Sequence, residues 1–108
     1  MEDRRAVGFR YNPAQWKGDA MPRYRVSELR LLVGDRWLDL PVEPSTTLAI
    51  DPPGPWEVGP VPGFPATVAS GGRYDAAITT TDGTRWCGPS FTIWYSRQLL
   101  GDGPLEEC

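Results

Sequence analysis

Residues 73–95 read RYDAAITTTDGTRWCGPSFTIWY, and this stretch decides the predicted fold. Asp82-Gly83 lies near its centre, between two runs that are rich in β-branched and aromatic residues. An Asp-Gly dipeptide in that setting is typical of a two-residue turn joining antiparallel strands. The stretch therefore predicts a β-hairpin with strands over residues 73–81 and 84–95.

The register of this hairpin determines which side chains share a face. Counting outward from a two-residue turn gives three facing pairs: Ile78 with Cys87, Ala76 with Pro89 and Tyr74 with Phe91. These residues form an apolar face, which Ile93 and Tyr95 extend. The opposite face then holds Thr79, Thr81, Trp86, Thr92 and Trp94. A bulge or bend is expected at Gly88-Pro89, and a one-residue bulge there would exchange the faces beyond it.

A second hairpin is predicted before the first. Its leading strand alternates apolar and charged residues, with Leu29, Leu31 and Val33 on one face and Glu28 and Arg30 on the other. Gly34-Asp35-Arg36 forms the turn and residues 37–40 return. A helix over residues 27–37, capped by Ser27, is the competing interpretation. Gly34-Asp35 would interrupt that helix early, so the hairpin is preferred.

Residues 41–65 hold eight of the twelve prolines and are predicted to form a long connection. Because proline cannot donate to a sheet, only residues 46–50 are expected to pair for any length. The remainder should form turns and extended chain. Trp56 and Phe64 are too apolar for a loose linker, so this segment is expected to cover the core.

These signals together predict one all-β domain over residues 1–108, a small β-sandwich or barrel of six to seven short strands. A chain of this length suits a single core. Residues 1–23 are expected to be a basic and aromatic arm that contains a first strand over residues 6–11. Residues 101–108 form an acidic tail.

Cysteine usage bears on the compartment of the protein, and the excess of arginine over lysine bears on its source. No signal peptide is visible and two cysteines make no disulfide framework, so Cys87 and Cys108 are expected to be reduced thiols, although a bond between them is geometrically possible. Ten arginines against one lysine suggest a GC-rich bacterial or phage genome. The expected location is the cytoplasm, or a virion within a bacterial host. No apolar run approaches the ~20 residues that a membrane span needs.

Several chemistries lack the residues that they require. The chain contains no histidine, no CxxC pair and no phosphate-binding glycine loop, so no catalytic triad, metal site or cofactor is expected. A net charge of −3 argues against nucleic acid as a partner. An enzyme would have to use tyrosine, arginine or carboxylates, and the candidate carboxylates are Asp39, Glu43 and Asp75. The prediction is that the protein is not an enzyme.

The function predicted from these exclusions is binding to a protein partner or to another copy of the chain. A structural component of a larger assembly, such as a phage particle, is the preferred version. The candidate binding residues are aromatic, hydroxyl and arginine side chains of the hairpin and the arm. They are Trp86, Trp94, Thr79, Thr92, Arg4, Arg5, Arg10 and Trp16.

Two alternatives remain open. Residues 37–72 contain no Lys or Arg and four acidic residues, namely Asp39, Glu43, Asp51 and Glu57. That stretch fits a small inhibitor or immunity protein that meets a basic active site. The second alternative is a β domain that binds a carbohydrate or another small ligand through Trp86 and Trp94, or a carboxylate-based β-barrel enzyme.

Overall fold

The computed structural model describes residues 22–51 and 55–108, which form antiparallel strands and no helix. The strands are β1 (Arg23–Val33), β2 (Arg36–Leu40), β3 (Thr47–Ile50), β4 (Trp56–Gly59), β5 (Arg73–Thr80), β6 (Arg85–Ile93), β7 (Gln98–Gly101) and β8 (Glu106–Glu107). The predicted all-β fold is confirmed, with eight strands in the described residues instead of six or seven. The strand expected over residues 6–11 lies outside them.

Six strands close into a barrel in the order β1-β3-β4-β7-β6-β5, and pairing between β1 and β5 completes the ring. Each of the two longest strands, β1 and β6, pairs with two shorter strands along one of its edges. The first residues of β1 pair with β3 and its last residues pair with β2. The last residues of β6 pair with β7, whereas Trp86 and Cys87 near its start pair with β8. Thus β2 and β8 lie outside the ring.

The hairpin predicted around Gly34-Asp35 is confirmed. Val33 lies opposite Arg36, so Gly34 and Asp35 form a two-residue turn between β1 and β2. Gly34 has a φ of 66°, in the left-handed region that glycine enters at little cost. Leu29 and Leu31 are buried, as the alternation of apolar and charged residues predicts.

The hairpin around Asp82-Gly83 has the predicted position, but its predicted register is wrong by one residue. Thr80 accepts from Gly83 N–H and donates its own N–H to the Thr84 carbonyl, which leaves a three-residue loop. Gly83 takes the left-handed conformation with a φ of 91°. Ile78 therefore lies opposite Trp86 and not Cys87. Because side chains alternate along a strand, this shift exchanges the two faces of β6.

The bulge expected at Gly88-Pro89 does not occur. The pairing of β5 with β6 runs without a shift from Arg73–Phe91 to Thr79–Arg85. Gly88 instead allows the C-terminal segment to approach, because an added Cβ would lie 2.6 Å from the Pro104 carbonyl oxygen. Leu105 then packs into the core.

The proline-rich segment contributes more to the sheet than the sequence predicts. The strand expected within residues 46–50 is confirmed as β3. β4, which follows three prolines, is a second strand that was not predicted, and it joins β3 to β7 in the barrel wall. Trp56 and Val58 point from β4 into the core. The segment is thus partly wall and not only a cover.

A disulfide joins Cys87 to Cys108, with their Cα atoms 5.8 Å apart, so the prediction of reduced thiols is wrong. The bond holds the end of the tail beside β6, next to the pairing of Cys87 with Glu106. Cys87 lies on the outer face of β6, opposite Ala77. The acidic tail is consequently a fixed part of the fold.

Apolar side chains fill the interior of the ring. The core cluster consists of Val26, Leu29, Leu31, Leu40, Leu48, Ile50, Trp56, Val58, Val61, Val68, Ala76, Ile78, Leu99 and Leu105. Four buried hydroxyl residues lie among or beside them, namely Thr46, Thr80, Ser90 and Thr92. Each of these hydroxyls donates a hydrogen bond, so the interior holds them without an unpaired donor.

Candidate functional site

The structure does not bring the predicted hairpin residues together on one surface. The register of β6 turns Trp86 inward, where it is partly buried against the core cluster. Thr92 is fully buried, and its hydroxyl donates to the Ala69 carbonyl oxygen. Thr79 lies on the outer face, opposite Arg85. The shared face predicted from a two-residue turn is therefore wrong.

Of the remaining predicted residues, Trp94 lies in the part of the chain that the structure describes and the residues of the arm do not. Trp94 is 42% exposed and follows the last residue of β6. Arg4, Arg5, Arg10 and Trp16 lie outside the described residues. Their role in binding stays a prediction.

Trp94 belongs to a group of aromatic side chains at the turn between β6 and β7. Its ring is stacked on Phe64, with ring centroids 6.3 Å apart and an angle of 3° between the planes. Tyr95, the next residue, is 92% exposed. We call Phe64, Trp94 and Tyr95 the aromatic surface.

Main-chain hydrogen bonds fix the two segments that carry this surface. Val61 N–H donates to the Arg97 carbonyl oxygen at 2.8 Å, which ties the proline-rich segment to the β6–β7 turn. Arg97 N–H in turn donates to the Trp94 carbonyl oxygen at 3.0 Å. Val61 is buried in the core, so the base of Phe64 is anchored close by. The aromatic surface is thus presented by a constrained turn.

Sequence reasoning found Trp94 but missed Phe64 and Tyr95. Phe64 packs against the core cluster, as expected of a segment that covers the core, but its stacking on Trp94 was not predicted. Tyr95 was placed on the apolar face of the hairpin by extending the strand parity past Ile93. The strand ends at Ile93, and the following residues turn. The Ser96-Arg97 pair after the aromatics was the signal of a turn.

A cleft of about 320 Å³ lies on the outer face of β1, β2, β5 and β6. It is lined by Glu28, Arg30, Trp37, Ala77, Thr79, Arg85, Cys87 and Cys108. Within it, the Arg30 guanidinium contacts the Glu28 carboxylate at 2.7 Å and the Asp39 carboxylate at 2.9 Å. Charges of both signs thus neutralise each other along this face.

The carboxylates considered for catalysis are distributed over different parts of the sheet. Asp39 on β2 faces Arg30 on β1, whereas Asp75 on β5 faces Leu32 on β1. The hydroxyl of Ser45 donates to the Glu43 carboxylate at 3.0 Å, in the connection after β2. Among the described residues, no group of three His, Cys, Asp or Glu side chains could hold a metal ion. Absence of enzymatic activity remains a prediction.

One carboxyl group has a clearly shifted pKa. The Thr80 hydroxyl and the Thr84 N–H both donate to Asp82, and these hydrogen bonds lower the pKa of Asp82 below 3.8. The charged form is favoured because the donors stabilise the carboxylate. This shift belongs to the hairpin turn and has no link to the aromatic surface.

The described residues include no helix of the length and hydropathy that a bilayer span requires. Comparison of the chain with models of protein families, with curated proteins and with solved structures finds no match.

Proposed function

We propose that this protein is a non-enzymatic interaction module, a structural component of a larger assembly that binds another protein through its aromatic surface. The observation that carries the proposal is the exposure of Trp94 and Tyr95 at a turn fixed by main-chain hydrogen bonds. Trp and Tyr supply much of the binding energy at protein interfaces. A fixed turn also loses little conformational entropy when it binds.

The filled barrel supports this reading over the binding of a small ligand inside the ring. Leu31, Leu48 and Ile78 are fully buried within the ring. Large ligand-binding barrels enclose a cavity, whereas small ones are filled by their own side chains. The surface is therefore where binding is expected.

The test measures which proteins the chain retains in its natural host. Trp94→Ser combined with Tyr95→Ser should abolish capture of a specific partner by the tagged chain. The matched control is Tyr24→Ser, which removes an exposed aromatic side chain from β1. A set of captured proteins that is identical for all three chains would contradict the proposal. Circular dichroism of each variant verifies that the barrel is intact.

The location proposed with this function is the cytoplasm or a virion. The disulfide between Cys87 and Cys108 favours the virion of these two, because disulfides persist on particle surfaces and are reduced in the cytoplasm. Alkylation of thiols in intact host cells and in purified particles distinguishes the two locations. Cysteines that are alkylated in both would remove the support for a particle.

A carbohydrate is a second candidate ligand for the same surface, favoured by the nearly parallel rings of Phe64 and Trp94. Flat aromatic rings bind the apolar faces of sugar rings by stacking. The Ser96 hydroxyl, which donates to the Gln98 side-chain oxygen at 2.9 Å, lies in the same turn. A glycan array screened with the natural chain and Trp94→Ser tests this candidate, and no Trp94-dependent signal would eliminate it.

The inhibitor alternative receives less support from the structure. Asp39 lies on β2 and Glu57 on β4, two strands that are not neighbours in the sheet. Asp39 is also paired with Arg30. The acidic stretch of the sequence therefore does not form one contiguous acidic face through these two residues.

A further inference from the structure

The outer edge of β2 has the properties of a pairing edge. Among the described strands, β2 pairs with β1 alone. Its five residues contain neither proline nor lysine, and of its two charged residues, Arg36 and Asp39, the first lies beside the turn opposite Val33. Trp37 is 47% exposed on this strand. The charge of Asp39 is matched by Arg30 at 2.9 Å, so it repels an incoming strand only weakly.

The turn determines which main-chain groups of β2 point outward. In a two-residue hairpin the residues flanking the turn exchange hydrogen bonds, and hydrogen-bonded and non-hydrogen-bonded pairs then alternate. Val33 and Arg36 flank this turn, so Arg36, Leu38 and Leu40 direct their N–H and C=O groups towards β1. The corresponding groups of Trp37 and Asp39 point to the outer edge.

These outward groups limit how a second copy of β2 could pair in a symmetric antiparallel manner. With Leu38 opposite Leu38 of the second copy, Trp37 faces its Asp39, and both pairs of outward residues exchange hydrogen bonds. With Asp39 opposite Asp39, like charges meet and Trp37 faces Pro41, which has no N–H. With Trp37 opposite Trp37, Asp39 faces Asp35, again with like charges. The register centred on Leu38 is the favourable one.

We propose that two copies of the chain associate through β2, in the antiparallel register centred on Leu38. The pairing joins the sheets of the two copies and forms four main-chain hydrogen bonds. On the outer face, Trp37 lies beside Asp39 of the second copy, which is itself bound to Arg30. On the inner face, the partly buried Leu38 side chains meet across the twofold axis. This self-association is independent of the aromatic surface and does not rest on the function proposed above.

The first experiment is sedimentation velocity on the full chain over a range of about 5 to 500 μM, because an interface this short is expected to be weak. The mass should rise from 12.0 kDa towards twice that value with concentration. Asp39→Pro removes one outward N–H per copy without removing a bond to β1, and should weaken association on the order of tenfold or more. Asp39→Asn keeps that N–H and should still associate.

The second experiment tests the register. Trp37→Lys places a cation beside Asp39 of the second copy and should retain or strengthen association at low salt. Trp37→Glu places an acid there and should weaken it. If Trp37→Lys weakens association as much as Trp37→Glu does, no carboxylate of the second copy lies beside position 37 and the register is wrong. A natural chain that stays monomeric over the whole range, or one that Asp39→Pro leaves unaffected, overturns the proposal.

Discussion

At the scale of single residues, Thr46 connects two parts of the proline-rich segment. It is fully buried, its hydroxyl donates to the Pro60 carbonyl oxygen at 2.6 Å, and the hydroxyl accepts from Glu43 N–H at 3.0 Å. Buried polar groups that lose such a partner carry the full cost of desolvation. A single hydroxyl therefore holds the chain where proline prevents a continuous ladder.

We expect Thr46→Val to lower the free energy of unfolding by about 1–3 kcal/mol, because it leaves Glu43 N–H and the Pro60 carbonyl oxygen without that partner. Thr47→Val, at the neighbouring half-buried position of β3, is the matched control and should change stability by less than about 0.5 kcal/mol. Urea titration followed by fluorescence measures both. Equal losses would show that the two hydroxyls are equivalent.

The Asp82 carboxylate makes the β5–β6 turn sensitive to pH. Its pKa is lowered, first by the Thr80 hydroxyl and then by the Thr84 N–H. A carboxyl group with a lowered pKa in the folded state stabilises the fold above its ordinary pKa, and this contribution is lost as pH falls through the lowered value. Asp82→Asn should thus be less stable than the natural chain at neutral pH.

That difference should shrink below pH 3.8, the ordinary value for this carboxyl group, and vanish at lower pH. Thermal unfolding of both chains between pH 7 and about pH 2 checks it. A stability difference that is constant over this range would exclude the carboxylate as its cause.

At the scale of elements, β7 lies so close to Trp56 that only glycine fits at one position. A Cβ added to Gly101 would lie 2.6 Å from Cδ1 of the Trp56 indole ring. The indole N–H also donates to the Gly103 carbonyl oxygen at 2.9 Å, which keeps the ring in place. β4 and β7 therefore depend on the same aromatic side chain.

Gly101→Ala should destabilise the barrel by about 1–3 kcal/mol, because the methyl group must displace the buried indole ring. Gly63→Ala is the control, since a Cβ at Gly63 meets no atom within 4 Å. Chemical denaturation quantifies the two effects. If Gly101→Ala were as stable as Gly63→Ala, the close packing of Trp56 against β7 would be wrong.

The elements also show how far the sequence alone predicts this fold. Alternation in residues 28–33 and the turn signals gave both hairpins, because these depend on local chemistry. The register of the hairpin between β5 and β6 could not be read from Asp82-Gly83, since the dipeptide fits a loop of two residues or one of three. The length of the loop decides whether Trp86 or Cys87 faces the core. Cys87 faces outward, where it forms a disulfide with Cys108, 21 positions away in the sequence. That contact is tertiary.

The candidate site was predictable in part for the same reason. Trp94 was named from the sequence as a candidate binding residue, but Phe64 reaches it through a contact between residues 30 positions apart. β4 was missed because the prolines before it suggested turns, while its pairing partner β7 had no clear pattern of its own. Local sequence patterns identify individual strands, whereas the pairing of those strands determines which side chains meet at the candidate site.

At the scale of the whole molecule, the disulfide is a constraint on the unfolded chain. It closes a loop between positions 21 residues apart. Cys87→Ser combined with Cys108→Ser should reduce the free energy of unfolding by about 3 kcal/mol, the loss expected for a loop of that length. Urea titration of the natural chain with and without a thiol reductant should reproduce this loss, and the reductant should not affect the double variant. A double variant as stable as the oxidised natural chain would contradict this expectation.

The seam between β1 and β5 has a kinetic consequence. Val26 pairs with Thr80 across it, although more than half of the chain's described length separates them. Contacts between such distant segments form only after a large loop has closed, and the closure costs conformational entropy before the contacts stabilise the chain. Proteins rich in such contacts therefore fold slowly. The two local hairpins are therefore expected to form first. Pairing of their leading strands, β1 and β5, then limits the rate at which the ring closes.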